Sequence, residues 1–174
     1  ISGTSPVCTG TSQSYSISAV SGATSYTWSY SGGGTATSST TGVTFTPTSS
    51  GTLSVTATNS CGTSSARTRS ITVNSNSTAP TGITGTATIC DGSSTTLTLS
   101  GGSVGTGATA QWFTGSCGGT VAGTGNSITV SPTSNTTYFV RYSGTCNTTT
   151  CASQSVSVNT NSTAPTGITG TTTI

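Results

Sequence analysis

The sequence predicts an all-β chain made of two tandem β-sandwich modules. Short apolar runs recur with a period of two, turn-forming residues separate them, and the second half repeats the register of the first. In chain order the runs are Tyr15-x-Ile17, Val43-x-Phe45, Leu53-x-Val55-x-Ala57 and Ile71-x-Val73, then Leu97-x-Leu99, Ile128-x-Val130, Tyr138-x-Val140-x-Tyr142 and Val156-x-Val158. Alternation at every second residue marks a strand with one face buried. The abundant Thr suits a pleated surface through its branched β-carbon, and clusters of Gly, Asn, Ser and Pro supply the turns. Ser and Thr make up close to half of the chain, as in a disordered stalk, but a stalk lacks regularly placed apolar residues. No stretch has a helical period, and no apolar run approaches membrane-spanning length, so membrane insertion is not expected.

The eleven residues Asn76–Thr86, NSTAPTGITGT, recur unchanged at Asn161–Thr171, 85 residues later. The chain therefore reads as a piece of a repeat array, with modules at 1–75 and 76–161 and with 162–174 as linker and first strand of a following module. Cys8 stands seven residues after Ile1, as Cys90 stands seven after Ile83. The segment Val43–Val55 aligns without a gap on Ile128–Val140, and Cys61 matches Cys146, each twelve residues before a valine, Val73 or Val158.

Charged residues are 2% of the chain, namely Arg67, Arg69, Arg141 and Asp91, with no His. One acid cannot form the carboxylate pair of a glycosidase, and without His or Lys no side-chain base can activate a serine. We expect no enzyme and no cofactor. Three arginines make a poor phosphate-binding surface, so nucleic acid is not an expected partner. Asp91, followed by Gly92-Ser93-Ser94, reads as a turn former.

A module of about 80 residues has a marginal core, which disulfides commonly reinforce. Six cysteines suit an oxidising, extracellular setting. A metal site drawn from Cys90, Cys117, Cys146 and Cys151 is the competing reading, but no Cys-x-x-Cys is present. Within the first module the pair is Cys8 with Cys61; register carries this to Cys90 with Cys146 and leaves Cys117 with Cys151.

The runs ATSYTWSYSGGG and SGTLSVTATNSCGTS in the first module resemble the PKD-like repeat of very large secreted proteins of Bacteroidota. In the second, TIC at 88–90, QWFTGSCGG, SITVSPTSNTTYFVRY and CAS resemble the Ig-like repeat that accompanies it. The resemblance implies immunoglobulin-like sandwiches, type IX secretion and a place in surface adhesins or filament-like arrays. It also departs from the PKD pattern, because Trp28 leads into Ser29-Tyr30-Ser31-Gly32-Gly33 and not into an Asp-containing turn, so no cation is expected there.

Trp28 and Trp112 occupy matching places and read as core residues in preference to sugar-stacking platforms. Tyr138 and Tyr142 align with Leu53 and Ala57 and should point inward, leaving Phe139 and Arg141 outward as a candidate surface contact. Asn76, Asn135, Asn147 and Asn161 lie in N-x-S/T sequons at the frequency that composition alone produces. Ile168 and Ile174, which by register stand where Ile1 and Val7 stand, are the candidate contact with a neighbouring module or copy.

The expected function is a non-catalytic structural segment of an extracellular surface filament or adhesin array, acting as stalk and self-association module. The alternative is a secreted module that binds polysaccharide or ice through exposed Thr rows or aromatics. Low net charge favours association with neighbouring copies.

Overall fold

Alternating burial in the longest strands shows why these residues form sheets. In β5 (Gly51–Asn59) Leu53 and Val55 are buried, and in β15 (Thr136–Ser143) Tyr138, Val140 and Tyr142 are buried. The computed structural model describes residues 1–167, 169 and 170. It is all-β, and the described residues divide into two compact units. The first unit comprises 1–78 together with 104–108 and 143–148, and the second comprises 79–103, 109–142 and 149 onward. Two short stretches of the second sequence repeat thus belong to the first unit.

In the first repeat the strands are β1 (Val7–Cys8), β2 (Gln13–Ser16), β3 (Ser25–Tyr30), β4 (Gly42–Phe45), β5, β6 (Gly62–Thr63), β7 (Arg67–Ile71) and β8 (Val73–Asn74). One layer pairs β2 with β4, and Ser2 adds a bridge to Ser16. The other places β3, β6 and β7 antiparallel to β5, while β1 runs parallel to β8. The core holds Val7, Tyr15, Trp28, Val43, Phe45, Leu53, Val55 and Ile71.

The second repeat has β9 (Gly82–Thr84), β10 (Thr88–Cys90), β11 (Thr95–Ser100), β12 (Thr109–Thr114), β13 (Thr120–Thr124), β14 (Ser127–Val130), β15 and β16 (Ala152–Asn159). Its sheets are β14-β11-β9 and β10-β16-β15-β12-β13, with β10 parallel to β16. Their core holds Ile83, Ile89, Leu97, Trp112, Tyr138, Val140, Tyr142 and Val156.

The two tryptophans lie in the cores, and each keeps its one polar atom satisfied: Trp28 Nε1–H donates to Thr40 O at 2.9 Å and Trp112 Nε1–H to Gly125 O at 2.8 Å. The recurring I-x-G-T motif has a backbone reason. Gly3 and Gly85 adopt φ of 140° and 142°, and a Cβ there would enter the Tyr15 ring in one repeat and the Thr96 carbonyl in the other.

Candidate functional site

The cysteine pairing differs from the sequence expectation for a topological reason. Cys8 pairs with Asn74, just beyond the residue, Ile71, that lies opposite Gly51 at the start of β5; Cys61 lies at the tip of the β5–β6 hairpin, beyond Asn59 at its end. The nine residues of β5 therefore separate them, a length of about 30 Å at roughly 3.3 Å per residue, whereas a disulfide needs Cα atoms within about 7 Å. The same geometry separates Cys90, beside Asn159, from Cys146. The expected Cys8–Cys61 and Cys90–Cys146 bonds are accordingly replaced. Cys8 bonds to Cys146 with Cα atoms 5.5 Å apart, and both residues lie in the first unit. Cys61 and Cys90 are free and exposed.

Around this bond the first unit builds a small clamp on residues 74–77. Thr9 N–H and its hydroxyl both donate to Asn74 O, at 2.9 and 3.1 Å. Ser75 N–H donates to Thr106 Oγ1 at 3.0 Å, and Thr106 N–H returns a bond to Ser75 O at 3.1 Å. The Asn147 side-chain amide engages Ser77 twice, accepting from its N–H and donating to its carbonyl, each at 2.9 Å. Ser77 is 6% exposed, and its hydroxyl accepts from Gly105 N–H at 2.9 Å. A Cβ at Gly105 would run into the backbone of Ser75, Asn76 and Ser77, so only glycine allows this approach. Asn147, Ser77 and Gly105 were not singled out for this role from the sequence. The recurrence of Asn76-Ser77 at Asn161-Ser162 is the one trace in the sequence that could have marked Ser77, and it gives no sign of Asn147 or Gly105.

The second unit carries a different device. Cys117 bonds to Cys151 with Cα atoms 5.9 Å apart, a cross-link that stabilises the fold by roughly 4 kcal/mol by lowering the entropy of the unfolded chain. Arg141 and Phe139 lie outside the core cluster, while Tyr138 and Tyr142 lie inside it. Arg141 is nonetheless no free contact. Its guanidinium sits 4.9 Å from the ring centre of Phe113, which is 4% exposed, and the loop at Gly118 comes so close that an added Cβ would be 3.2 Å from Arg141 Nη1. The sequence reading missed Phe113, which adjoins the core Trp112 across a register shift in β12.

Arg69 donates from Nη1 to Ile1 O and from Nη2 to Gly3 O, each at 2.9 Å, and so ties the first residues to β7. Arg67 is exposed beside an open groove of about 410 Å³ lined chiefly by Ile17, Val20, Val55, Ala57 and hydroxyl residues. Burial pushes the Tyr15, Tyr30 and Tyr138 phenols above their ordinary range, so each remains a neutral donor; Tyr15 donates to Thr4 O at 2.8 Å and Tyr30 to Ser49 O at 2.7 Å. Among the described residues there is no group of three or more metal-ligating side chains, and no helix is long and apolar enough to cross a membrane. Ile168 and Ile174, the expected neighbour contact, lie outside the described residues.

Comparison with known proteins agrees with this architecture. Residues 1–73 match the model of the PKD-like domain, and residues 78–160 match that of the Ig-like domain CHU_C associated. No curated protein sequence matches the chain. Among solved structures, murine CEACAM1b is similar with a TM-score of 0.51 at 15% identity, over 90% of this chain and 96% of that one. An E-to-A variant of a three-domain titin segment is similar with a TM-score of 0.53 at 12% identity, over 89% of this chain. This chain spans 62% of that titin segment. At such identities the likeness is one of fold.

Proposed function

We propose that the chain is a non-catalytic stalk segment of an extracellular surface filament or adhesin array, of the kind that Bacteroidota export by type IX secretion. Domains of these two families are typically structural or adhesion-type modules. The observation that carries the finer reading is the Cys8–Cys146 bond. It spans a sequence separation of 138, so tension applied at the two ends passes through the disulfide and leaves the intervening residues unloaded. Such a shortcut serves a chain that is pulled. Disulfides also favour an oxidising compartment, and a hydroxyl-rich surface of low net charge leaves little repulsion between neighbouring copies.

The test is immunogold labelling of intact source cells with antibody to this chain. Gold along surface appendages is expected; label that enters only after lysis contradicts the reading. A second reading, binding of polysaccharide or ice, has one observation in its favour. On the outer face of β14-β11-β9, exposed Thr84, Thr98 and Ser127 form one row, and Thr96 and Thr129 form another. Thr96 and Thr129 bond to each other at 3.1 Å, which occupies part of their hydrogen-bonding capacity. Retention on insoluble polysaccharide, lost on replacing Thr98 and Thr129 by bulky residues, would favour this reading over the stalk.

A further inference from the structure

The two exposed thiols are structural copies of the two cysteines in the Cys8–Cys146 bond. Cys90 repeats the setting of Cys8: each ends a short strand, β10 or β1, that runs parallel to the last strand of its repeat, opposite Asn159 or Asn74. The next N–H, of Asp91 or Thr9, donates to that asparagine's carbonyl at 2.9 Å in both, and a left-handed glycine follows, Gly92 at φ 82° or Gly10 at φ 79°. Cys61 repeats the setting of Cys146 at a hairpin tip. Thr58 bridges Thr63 as Ser143 bridges Thr148, and Ser64 N–H donates to Ala57 O as Thr149 N–H donates to Tyr142 O, each at 2.9 Å. The existing bond therefore joins the strand-end cysteine of one repeat to the hairpin-tip cysteine of the next.

We propose that Cys90 forms this same bond with the hairpin-tip cysteine of a following repeat, and Cys61 with the strand-end cysteine of a preceding one, so that disulfides link successive repeats of an array. The partner is another repeat of the same design. An independent observation supports a following repeat: the linker Asn76–Thr86 recurs from Asn161, and it leaves the second repeat as it leaves the first. Asn161 Nδ2 donates to Asp91 O at 3.4 Å, as Asn76 Nδ2 donates to Thr9 O at 3.5 Å. The oxidant is a small-molecule disulfide such as oxidised glutathione. One protein thiolate attacks it and releases a glutathione thiol; the second protein thiolate attacks the mixed disulfide and releases the other. Two protein thiols and one glutathione disulfide thus become one protein disulfide and two glutathione thiols.

The proposal rests on the array reading but fails separately from it. The test is a polypeptide of residues 1–161 continued by 77–174, which adds one more copy of the second repeat across the shared linker. It is refolded with oxidised and reduced glutathione and alkylated under denaturing, non-reducing conditions, and the thiols are counted by intact mass. The original chain has two thiols, Cys61 and Cys90; the longer chain is expected to have two as well, Cys61 and the second copy of Cys90. Cys90→Ser in the first copy should raise the count by one, and in the second copy should lower it by one. Two additional thiols in the unsubstituted chain, or the same change from both substitutions, would overturn the proposal. Either result would leave the Cys8–Cys146 shortcut, and with it the stalk reading, intact.

Discussion

Gly85 shows how a single residue holds a repeat together. With φ at 142° and the Thr96 carbonyl in the place of a Cβ, Gly85→Ala incurs both a backbone penalty and a collision. Urea unfolding should show a loss of about 1–3 kcal/mol in the second unit. Gly92→Ala serves as the control, since Gly92 also has a positive φ but nothing lies within 4 Å of an added Cβ. It should cost only the left-handed backbone term, about 1 kcal/mol; equal losses at the two sites would remove the collision from the explanation. The tyrosines set the pH response at the same scale. Burial raises the Tyr15, Tyr30 and Tyr138 pKa values above 10.0, so in alkali the unfolded chain loses phenolic protons first. Stability from these groups is full below about pH 10 and declines as pH rises through the folded values. A melting temperature that holds level through neutral pH and then falls in alkali is the expected result, and one that rises in alkali would contradict it.

At the scale of elements, much of the strand pattern was legible because burial leaves a period of two in the sequence. Tyr138, Val140 and Tyr142 on β15 are the plain case. The register between the repeats was legible too, and the equivalence of Cys61 with Cys146 extends to matching hydrogen bonds. What the sequence did not show was the end of the sheet at which each cysteine sits. That depends on β1 running parallel to the last strand, a long-range pairing with no local signature. The bond was therefore assigned within a repeat when it joins successive ones. Phe113 was hidden for a related reason: next to Trp112 it lies off the alternating core pattern, and its cover comes from Arg141, which stands on β15, far along the chain. Arg141→Ala should lower the stability of the second unit by about 1–2 kcal/mol, through lost cation–π and stem packing. Arg141→Met, which keeps an apolar stem over the ring, should recover part of that loss in the same urea titration.

For the whole molecule, the central claim is that Cys8–Cys146 diverts tension past the residues it encloses. The chain-entropy relation assigns a loop this long about 5 kcal/mol of stabilisation, but extension reads the connectivity itself. The chain is held by its two ends in an optical trap and stretched until fully unfolded, first oxidised and then with reductant. The oxidised molecule should stop short, and reduction should release the 138 residues of sequence separation, about 470 Å at roughly 3.4 Å per residue. An equal final length with and without reductant would contradict the account.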